Sequence, residues 1–370
     1  MQIKPFKALT PRTRLIGSPT VFCDHAKNEF VKYIEKGLYN RLNEDALYVY
    51  QIEHGFNKHI GLVGLNHVDD FLEGKVKKHE ETLHEKEEKQ RELFLRWKAI
   101  LKPVLVTFKT VPELQWWLEY YTQTCQPINV VRFDQDHETH RFWAVTKPED
   151  IQHLQKLLSE RVPVTYIADG HHRSSTTAWL YQTGDTQGLD FSHLFCAWFA
   201  ADQLDILDYN RVVEGLKKIG PATLMARLSR VFEIEVLETM RRPAHKHEIM
   251  MYLDKTWYAL NWKHFILQQT PKGYDTLDAD LLNDMVIEKI FEINDVRSDT
   301  RIRYVEGSRG MQGVQKLTNA KSKDRVGFVL FPVSFEDMAR IADSGECLPP
   351  KSTYFEPRLK SGLLVRLLEG

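Results

Sequence analysis

The order of apolar and polar positions predicts a chain that mixes helices with strands. Residues 25–38 carry apolar side chains at helical spacing, and two strand-like runs follow at residues 46–52 and 59–65. The first run is rich in aromatic and β-branched side chains, which favour strands. The two runs flank a turn near Gly55, and this arrangement predicts a hairpin.

The segment from Glu73 to Glu92 is the most charged part of the chain, and its pattern predicts one long helix or two helices. On such a helix Lys78, Thr82 and Lys86 form one stripe, because residues four apart share a face. This stripe could bind an anion, and Glu80 could act as a general base toward a substrate hydroxyl. A solvated helix face has the same composition, so the pattern alone leaves both interpretations open.

The remaining runs continue this alternation of strands and helices. Strands are predicted at residues 104–108, 130–133, 140–145, 162–168, 193–201, 232–237, 257–262, 301–305 and 326–331. Helices are predicted at residues 149–159, 174–182, 212–218, 221–230, 245–253 and 278–291. The class is therefore α/β, in a mixed α+β arrangement.

Length indicates two domains, because a single hydrophobic core rarely grows past roughly 250–300 residues. The character of the sequence changes near residue 209, and no Gly/Ser linker precedes that point. We therefore predict a first domain over residues 1–208 and a second α/β domain over residues 209–348.

Charge and composition indicate which classes of binding partner to expect. The chain has 50 basic and 51 acidic residues, a balance that argues against nucleic acid or an anionic membrane as partner. Four widely spaced cysteines match neither a zinc site nor a disulfide framework. No run reaches the roughly 20 apolar residues of a membrane span, and the N-terminus lacks an apolar signal core. We therefore expect a soluble cytoplasmic protein.

The clearest candidate site is the predicted strand–turn–helix at residues 162–182. Asp169 and Gly170 form the turn, two histidines and Arg173 follow, and Ser174 opens the helix. A helix start offers free N–H groups and a partial positive charge, and an arginine can grip phosphate oxygens with two donors. Histidines there can donate hydrogen bonds, move protons or hold a metal. Ordinary helix capping is the simpler alternative.

The string Ile167–Arg173 resembles the signature loop of the ParB/sulfiredoxin-like superfamily, whose free-serine kinase branch carries an Asp-Gly-His-His-Arg form. Further segments fit the same family in the same chain order. They are Ile3–Lys7, Lys77–Thr82 with Lys86-Glu87, Tyr209–Val213, Arg303–Gly307, Pro349–Phe355 and Ser361–Leu363. The chain is thus similar to the diphosphate-dependent serine kinases over nearly its whole length.

This resemblance implies transfer of a phosphoryl group between pyrophosphate, or a nucleotide, and the hydroxyl of L-serine, giving O-phosphoserine. It implies a catalytic first domain and a C-terminal segment, residues 349–370, that returns toward the active site. The implied catalytic residues are Glu80, Asp169 and His172, with Asp169 also helping to bind Mg²⁺. The implied phosphate-binding residues are Lys78, His79, Thr82, Lys86, Gly170, His171, Arg173, Ser174, Lys351, Ser352 and Thr353. Asn210 and Arg211, after a likely strand, would bind a carboxylate of the substrate or, alternatively, fix a loop.

The chain departs from the family pattern at four places, and these mark a divergent member. One is the stretch between residues 18–24 and the first helix, which is longer in the family and mostly missing here. Residues 18–24 replace a Pro-Pro-Tyr-Asp-Val segment, Ser174 stands where an aromatic residue is usual, and Lys89-Gln90 replaces Asp-Arg. Two other functions therefore stay open. One is a metal-dependent phosphoesterase or nuclease with Asp169, His171 and His172 as ligands. The other is a non-catalytic binder of a phosphorylated ligand. The donor, the direction and the oligomeric state stay open as well.

Overall fold

The computed structural model describes residues 1–270, 272–320 and 324–369, and of Tyr274 only the backbone. The predicted second domain and C-terminal segment include positions outside these ranges. The chain forms two compact units, one of Met1–Asp205 with Pro357–Gly370 and one of Ile206–Glu356. The second unit is thus an insertion in the chain of the first. Residues 349–356, predicted to belong to the returning segment, lie in the second unit.

The first unit is built on a large mixed sheet. Its strands follow the order Val76–Lys77, Thr165–Asp169, Val104–Phe108, His193–Ala200, Asn57–His67, Leu47–His54, Glu138–Val145 and Asn129–Phe133. Ile3–Lys4 pairs with Asn57–His67. A smaller sheet has the order Tyr39–Arg41, Ala8–Pro11, Val365–Leu367 and Ala99–Ile100.

Helices surround this sheet and bury its apolar side chains. They are Pro19–Glu35, Val68–Leu72, His84–Trp97, Pro112–Thr124, Pro148–Arg161 and His171–Thr183. Leu114 and Leu154 are buried against sheet residues such as Val106 and Ile167, which form the core. Burial of apolar side chains is the dominant favourable contribution to folding. The packed core therefore fixes the positions of the strand ends.

The second unit holds an antiparallel sheet. Its order is Phe232–Leu237, Thr256–Trp262, Glu248–Leu253, Arg325–Val329, Tyr209–Glu214 and Ile302–Glu306. Successive residues of a strand face opposite sides, so Val212 and Val213 belong to two separate apolar clusters. A small sheet pairs Asp205–Leu207 with Tyr354–Glu356.

The helices of this unit cover both faces of the sheet. They are Leu216–Ile219, Pro221–Leu228, His264–Gln269, Asp278–Leu282, Lys289–Phe291, Gly310–Asn319 and Phe335–Asp343. A π-helical segment, Asn283–Glu288, joins the helix that ends at Leu282 to the one that begins at Lys289. The mixed α/β class predicted from sequence is confirmed.

Two predicted helices of the second unit differ from the structure. Residues 212–214 end the strand Tyr209–Glu214, so the helix there is only Leu216–Ile219, and most of residues 245–253 lies in the strand Glu248–Leu253. Each of these two strands is hydrogen-bonded on both sides. Glu248–Leu253 turns into Thr256–Trp262 through Asp254 and Lys255, both with positive φ. Such two-residue turns usually contain glycine, so the sequence carried no clear hairpin signal there.

Candidate functional site

The candidate site lies at the ends of two parallel strands in the first unit. Val76–Lys77 pairs in parallel with Thr165 and Tyr166, so the chain beyond each strand continues in the same direction. This places His79 and Glu80 beside the start of the helix His171–Thr183. The segment from Lys78 to Leu83 lies between this strand and the next helix and belongs to neither.

The stripe of Lys78, Thr82 and Lys86 predicted from helical spacing is therefore wrong. The helix Val68–Leu72 ends before Gly74, whose φ of 77° is left-handed, and the next helix begins only at His84. Lys78 and Lys86 are exposed, one outside the helix and one within it. Their predicted contacts with phosphate are not tested by this arrangement.

The turn after Asp169 is shorter than predicted. Gly170 alone separates strand from helix, at φ 112°, and His171 already begins the helix. The positive φ favours glycine here, and a Cβ atom would lie 2.6 Å from Nη2 of Arg173, so a side chain would also displace that guanidinium group.

Consecutive helical residues point about 100° apart, so His171, His172 and Arg173 face three different surroundings. Nε2 of His172 accepts a hydrogen bond from the N–H of Leu83 at 3.1 Å, just before the helix His84–Trp97. The hydroxyl of Ser174 is buried and donates to the carbonyl of Gly170 at 3.3 Å. The Ser174 hydroxyl is thus bonded within the first turn of its own helix.

Asp169 is surrounded by cations. Its Oδ2 atom lies 2.9 Å from both Nζ of Lys102 and Nη2 of Arg173, and its Oδ1 atom lies 3.9 Å from Nη1 of Arg358. Burial alone raises the pKa of Asp169, but these cations outweigh that effect and hold the pKa well below 3.8. Asp169 is therefore ionised, and it organises an excess of positive charge.

Lys102 belongs to this cluster although the sequence did not single it out. Its side chain is 15% exposed, and burial, opposed by Asp169 and reinforced by Arg173, lowers its pKa to about 8. Lys102 precedes the strand Val104–Phe108, whose Leu105 pairs with Asp169 in antiparallel register. The start of one strand thereby meets the end of the other. Arg358, also missed, comes from the chain after the second unit.

A second group consists of His79, His171 and Glu80. The rings of His79 and His171 meet edge to face at 4.7 Å, and both are buried. Burial lowers the pKa of His79 to about 4 and, with the neighbouring His79, lowers that of His171 far below 6.5. Nδ1 of His171 lies 3.7 Å from Oε2 of the half-buried Glu80. Both histidines are therefore neutral near pH 7.

The arrangement weighs against a metal held by the Asp169 loop. Asp169 faces Lys102 and Arg173, His171 faces His79, and His172 faces Leu83. Among the residues that the structure describes, no group of three or more His, Cys, Asp or Glu side chains is placed to hold a metal ion. The loop does not fit the Mg²⁺ predicted at Asp169, because the three cationic side chains around that carboxylate would repel it.

The other predicted site residues lie in the second unit. Lys351 is exposed over the ring of Tyr209, and the buried hydroxyl of Ser352 donates to the carbonyl of Pro349. Thr353 follows and is half-buried. Asn210 and Arg211 are fully buried in the strand Tyr209–Glu214. Their predicted roles toward substrate and phosphate stay predictions.

No helix in the described ranges has the length and apolar character needed to cross a bilayer. Over residues 5–280 the chain matches the family described as protein of unknown function (DUF1015), which is well over half of its length. No curated protein matches it.

Several solved structures resemble the chain at low identity. SbnI with a C-terminal truncation, from Staphylococcus aureus, is 14% identical with a TM-score of 0.43, covering 80% of this chain and 85% of its own. A free serine kinase in complex with AMP is 14% identical with a TM-score of 0.39, covering 79% and 86%. A conserved hypothetical protein from Pyrococcus furiosus is 14% identical with a TM-score of 0.37, covering 81% and 94%.

Proposed function

We propose that this chain, which belongs to the DUF1015 family, is a phosphotransferase acting between pyrophosphate, or a nucleotide, and the hydroxyl of free L-serine. One observation carries the proposal: at one end of the sheet, a carboxylate beside two neutral histidines accompanies a cluster of cations. A phosphoryl donor needs the cations, and an acceptor hydroxyl needs the carboxylate. The resemblance of Ile167–Arg173 to the loop of ParB/sulfiredoxin-like free-serine kinases supports the same chemistry.

The cation cluster suits a donor with several negative charges. Lys102, Arg173 and Arg358 lie around the carboxylate of Asp169, so three cationic side chains meet at one place. Phosphoryl transfer depends mainly on positioning and on neutralising charge, so prearranged cations lower its barrier. Asp169 is a positioning residue in this proposal, since it holds Lys102 and Arg173 at fixed places.

Glu80 is the proposed general base. It takes the proton of the serine hydroxyl while the serine oxygen forms a bond to the phosphorus of the donor. The bond from that phosphorus to the bridging oxygen breaks, and phosphate (or the shortened nucleotide) leaves with the electron pair. The proton then passes from Glu80 to the leaving group or to water. We assign no step to Mg²⁺, because Asp169 already bonds to Lys102 and Arg173.

Substitution of Glu80 tests the proposal. The full-length protein is incubated with L-serine, Mg²⁺ and pyrophosphate, ADP or ATP in turn, and O-phosphoserine is measured by ³¹P NMR. We expect Glu80→Gln to lower turnover by about 10²–10⁴-fold, the usual contribution of a general base, while pyrophosphate binding stays intact. Glu81→Gln, at the exposed neighbouring position, is the matched control. Equal turnover in wild type and Glu80→Gln would contradict the assignment.

A further inference from the structure

A cavity of about 310 Å³ opens at the surface of the second unit. It lies between the helices Leu216–Ile219 and Pro221–Leu228 on one side and the end of the helix Lys289–Phe291 on the other. Small-molecule sites in proteins occupy roughly 300–1,000 Å³, so this volume is large enough for a small ligand. The described residues that line it all belong to the second unit, and the site proposed around Asp169 has no part in it.

One wall of this cavity is apolar. Ile290 and Phe291 form it, both almost fully buried, together with the half-buried Ile219. All three pack in the same apolar cluster of the second unit, so the wall is an edge of that core. Water is displaced from such a wall when the apolar part of a ligand covers it, which favours binding. The cavity therefore suits a ligand with an apolar body.

Three basic side chains also line the cavity, and two of them have acidic partners. Nη2 of Arg301 lies 2.7 Å from Oδ2 of Asp299, and the same guanidinium group donates to the carbonyls of Phe291 and Glu292. Nζ of Lys218 lies 3.4 Å from Oε2 of Glu292, with side chains that are 81% and 73% exposed. Such an exposed pair adds little stability, but it balances the charge.

Arg227 is the third basic side chain of the cavity, and it forms no ion pair within the described ranges. Its single hydrogen bond to these residues is a long one, 3.5 Å from Nη1 to the carbonyl of Ile290. A guanidinium group has five N–H donors in one plane, and two of them can hold one carboxylate. Thr223 lies one helical turn before Arg227 and brings a hydroxyl to the same cavity. The lining thus carries one positive charge without a matching acid.

We propose that this cavity binds a small organic acid, with its carboxylate on Arg227 and its apolar body against Ile290 and Phe291. One unpaired guanidinium group matches one negative charge, so a monocarboxylate fits the lining better than a polyphosphate, which needs several unpaired cations. A bare inorganic anion fits less well, because it would leave the apolar wall in water. The proposal concerns the second unit alone and does not depend on the transferase activity proposed for the first.

Binding of simple probes to the full-length protein tests the proposal, by calorimetry and by thermal shift at constant ionic strength. The probes are hexanoate and benzoate, with acetate and inorganic phosphate lacking the apolar body and 1-hexanol lacking the charge. We expect hexanoate or benzoate to bind and to raise Tm. The one that binds should do so at least about tenfold more tightly than acetate, because each buried methylene group strengthens binding about fourfold.

Substitution of Arg227 separates a specific site from general attraction to the surface. Arg227→Gln should weaken binding of the preferred acid at least about tenfold, because the charged donors are lost. Arg227→Lys keeps the charge but not the two-donor edge, so it should recover only part of the affinity. Arg230→Gln is the matched control, since Arg230 is exposed just after the same helix and does not line the cavity. Circular dichroism checks the fold of each variant.

Four results would overturn the proposal. They are the absence of binding by both hexanoate and benzoate, equal affinity of wild type and Arg227→Gln, an equal loss in Arg230→Gln, and binding of acetate, phosphate or 1-hexanol as tight as that of the preferred acid. O-phosphoserine formation is measured alongside. It should be the same in Arg227→Gln as in wild type, so a failure of the proposed transferase activity leaves the acid-binding result to be judged on its own.

Discussion

Arg173 in the first unit and Arg211 in the second are both largely shielded from water, yet their surroundings differ. Arg173 lies 2.9 Å from Asp169 in a cluster with Lys102 and Arg358. Arg211 has no such carboxylate within the described ranges, and its one hydrogen bond goes to a backbone carbonyl. Arg173 is held by a carboxylate of its own unit, whereas the Nε and Nη2 atoms of Arg211 have no hydrogen-bond partner within the described ranges.

The difference shows that two largely buried arginines of one chain can contribute to stability with opposite sign. Around Asp169 the excess of cations is organised beforehand, so an arriving anion finds fixed partners and little rearrangement is needed. Around Arg211 two buried donors have no hydrogen-bond partner within the described ranges, which lowers the stability of the folded unit. Stability measurements therefore distinguish the two regions even before a ligand is known.

The largest effect is expected from Asp169→Asn. Removing one partner of a buried ion pair leaves the other charge uncompensated and costs about 3–5 kcal/mol. A quarter of the Asp169 side chain is exposed, so we expect a loss of about 3 kcal/mol in the free energy of unfolding. Urea denaturation at pH 7 measures it. A loss below about 0.5 kcal/mol, typical of surface pairs, would show that the cluster is not held by Asp169.

The opposite sign is expected from Arg211→Met. Replacing a buried charge with an apolar side chain of similar length is often neutral or stabilising, so the free energy of unfolding should rise by about 1–2 kcal/mol without ligand. Arg173→Met is the matched comparison, and it should lower stability because Asp169 loses a partner. If both variants lost stability to the same extent, the contrast between the two arginines would be wrong.

Lys102 makes the first region sensitive to alkaline pH. Its pKa is about 8 in the folded protein, below the 10.5 of an ordinary lysine, so between these values the unfolded chain binds more protons. The free energy of unfolding from this group therefore rises with pH across that window, by at most about 1.4 kcal/mol per pH unit. Pyrophosphate affinity should fall over the same range, because a cation is lost while Asp169, Arg173 and Arg358 keep their charges.

Lys102→Met should abolish both pH dependences, as measured by denaturation and by calorimetry between pH 7 and 10. Lys102→Arg keeps a permanent charge and should retain pyrophosphate affinity at pH 9 and above. An unchanged pH profile in Lys102→Met would mean that another group titrates there.

The smallest effect is expected from His172. Its Nε2 atom accepts the N–H of Leu83 before the helix His84–Trp97. His172→Ala leaves that donor to water, so we expect a loss of about 1 kcal/mol in stability. His172→Gln, which keeps an acceptor, should recover part of it. Equal stability of all three proteins would leave the hydrogen bond without structural value and favour the catalytic role predicted from sequence.

Local patterns predicted the elements that lie close together in the chain. The strand and helix around Asp169 and Gly170 follow from a run of apolar residues, a tight turn and small polar residues, and both form within a few residues of the predicted positions. The helix begins at His171, three residues before the predicted Ser174, because a glycine with positive φ allows a turn of a single residue. That one shift separates the directions of His171, His172 and Arg173.

Long-range pairing could not be predicted from local patterns. The charged residues Lys77 and Lys78 suit a helix, but Lys77 lies in an edge strand and pairs with Tyr166. Lys102 reaches Asp169 only because two strands run antiparallel, and this pairing could not be predicted from the sequence. Arg358 lies almost 190 residues further along the chain. The loop sequence was enough to recognise the site. Which charged side chains surround Asp169 could be known only from the fold.

The insertion of the second unit into the chain of the first has a consequence for biosynthesis. Arg358 and the strand Val365–Leu367 belong to the first unit but follow the whole of the second. During translation, the first unit therefore stays incomplete until the ribosome has synthesised the intervening 151 residues of Ile206–Glu356. Until then Asp169 lacks one of its three cations and Ala8–Pro11 lacks a strand partner. The nascent chain thus acquires its complete charge cluster only after the inserted unit has been made.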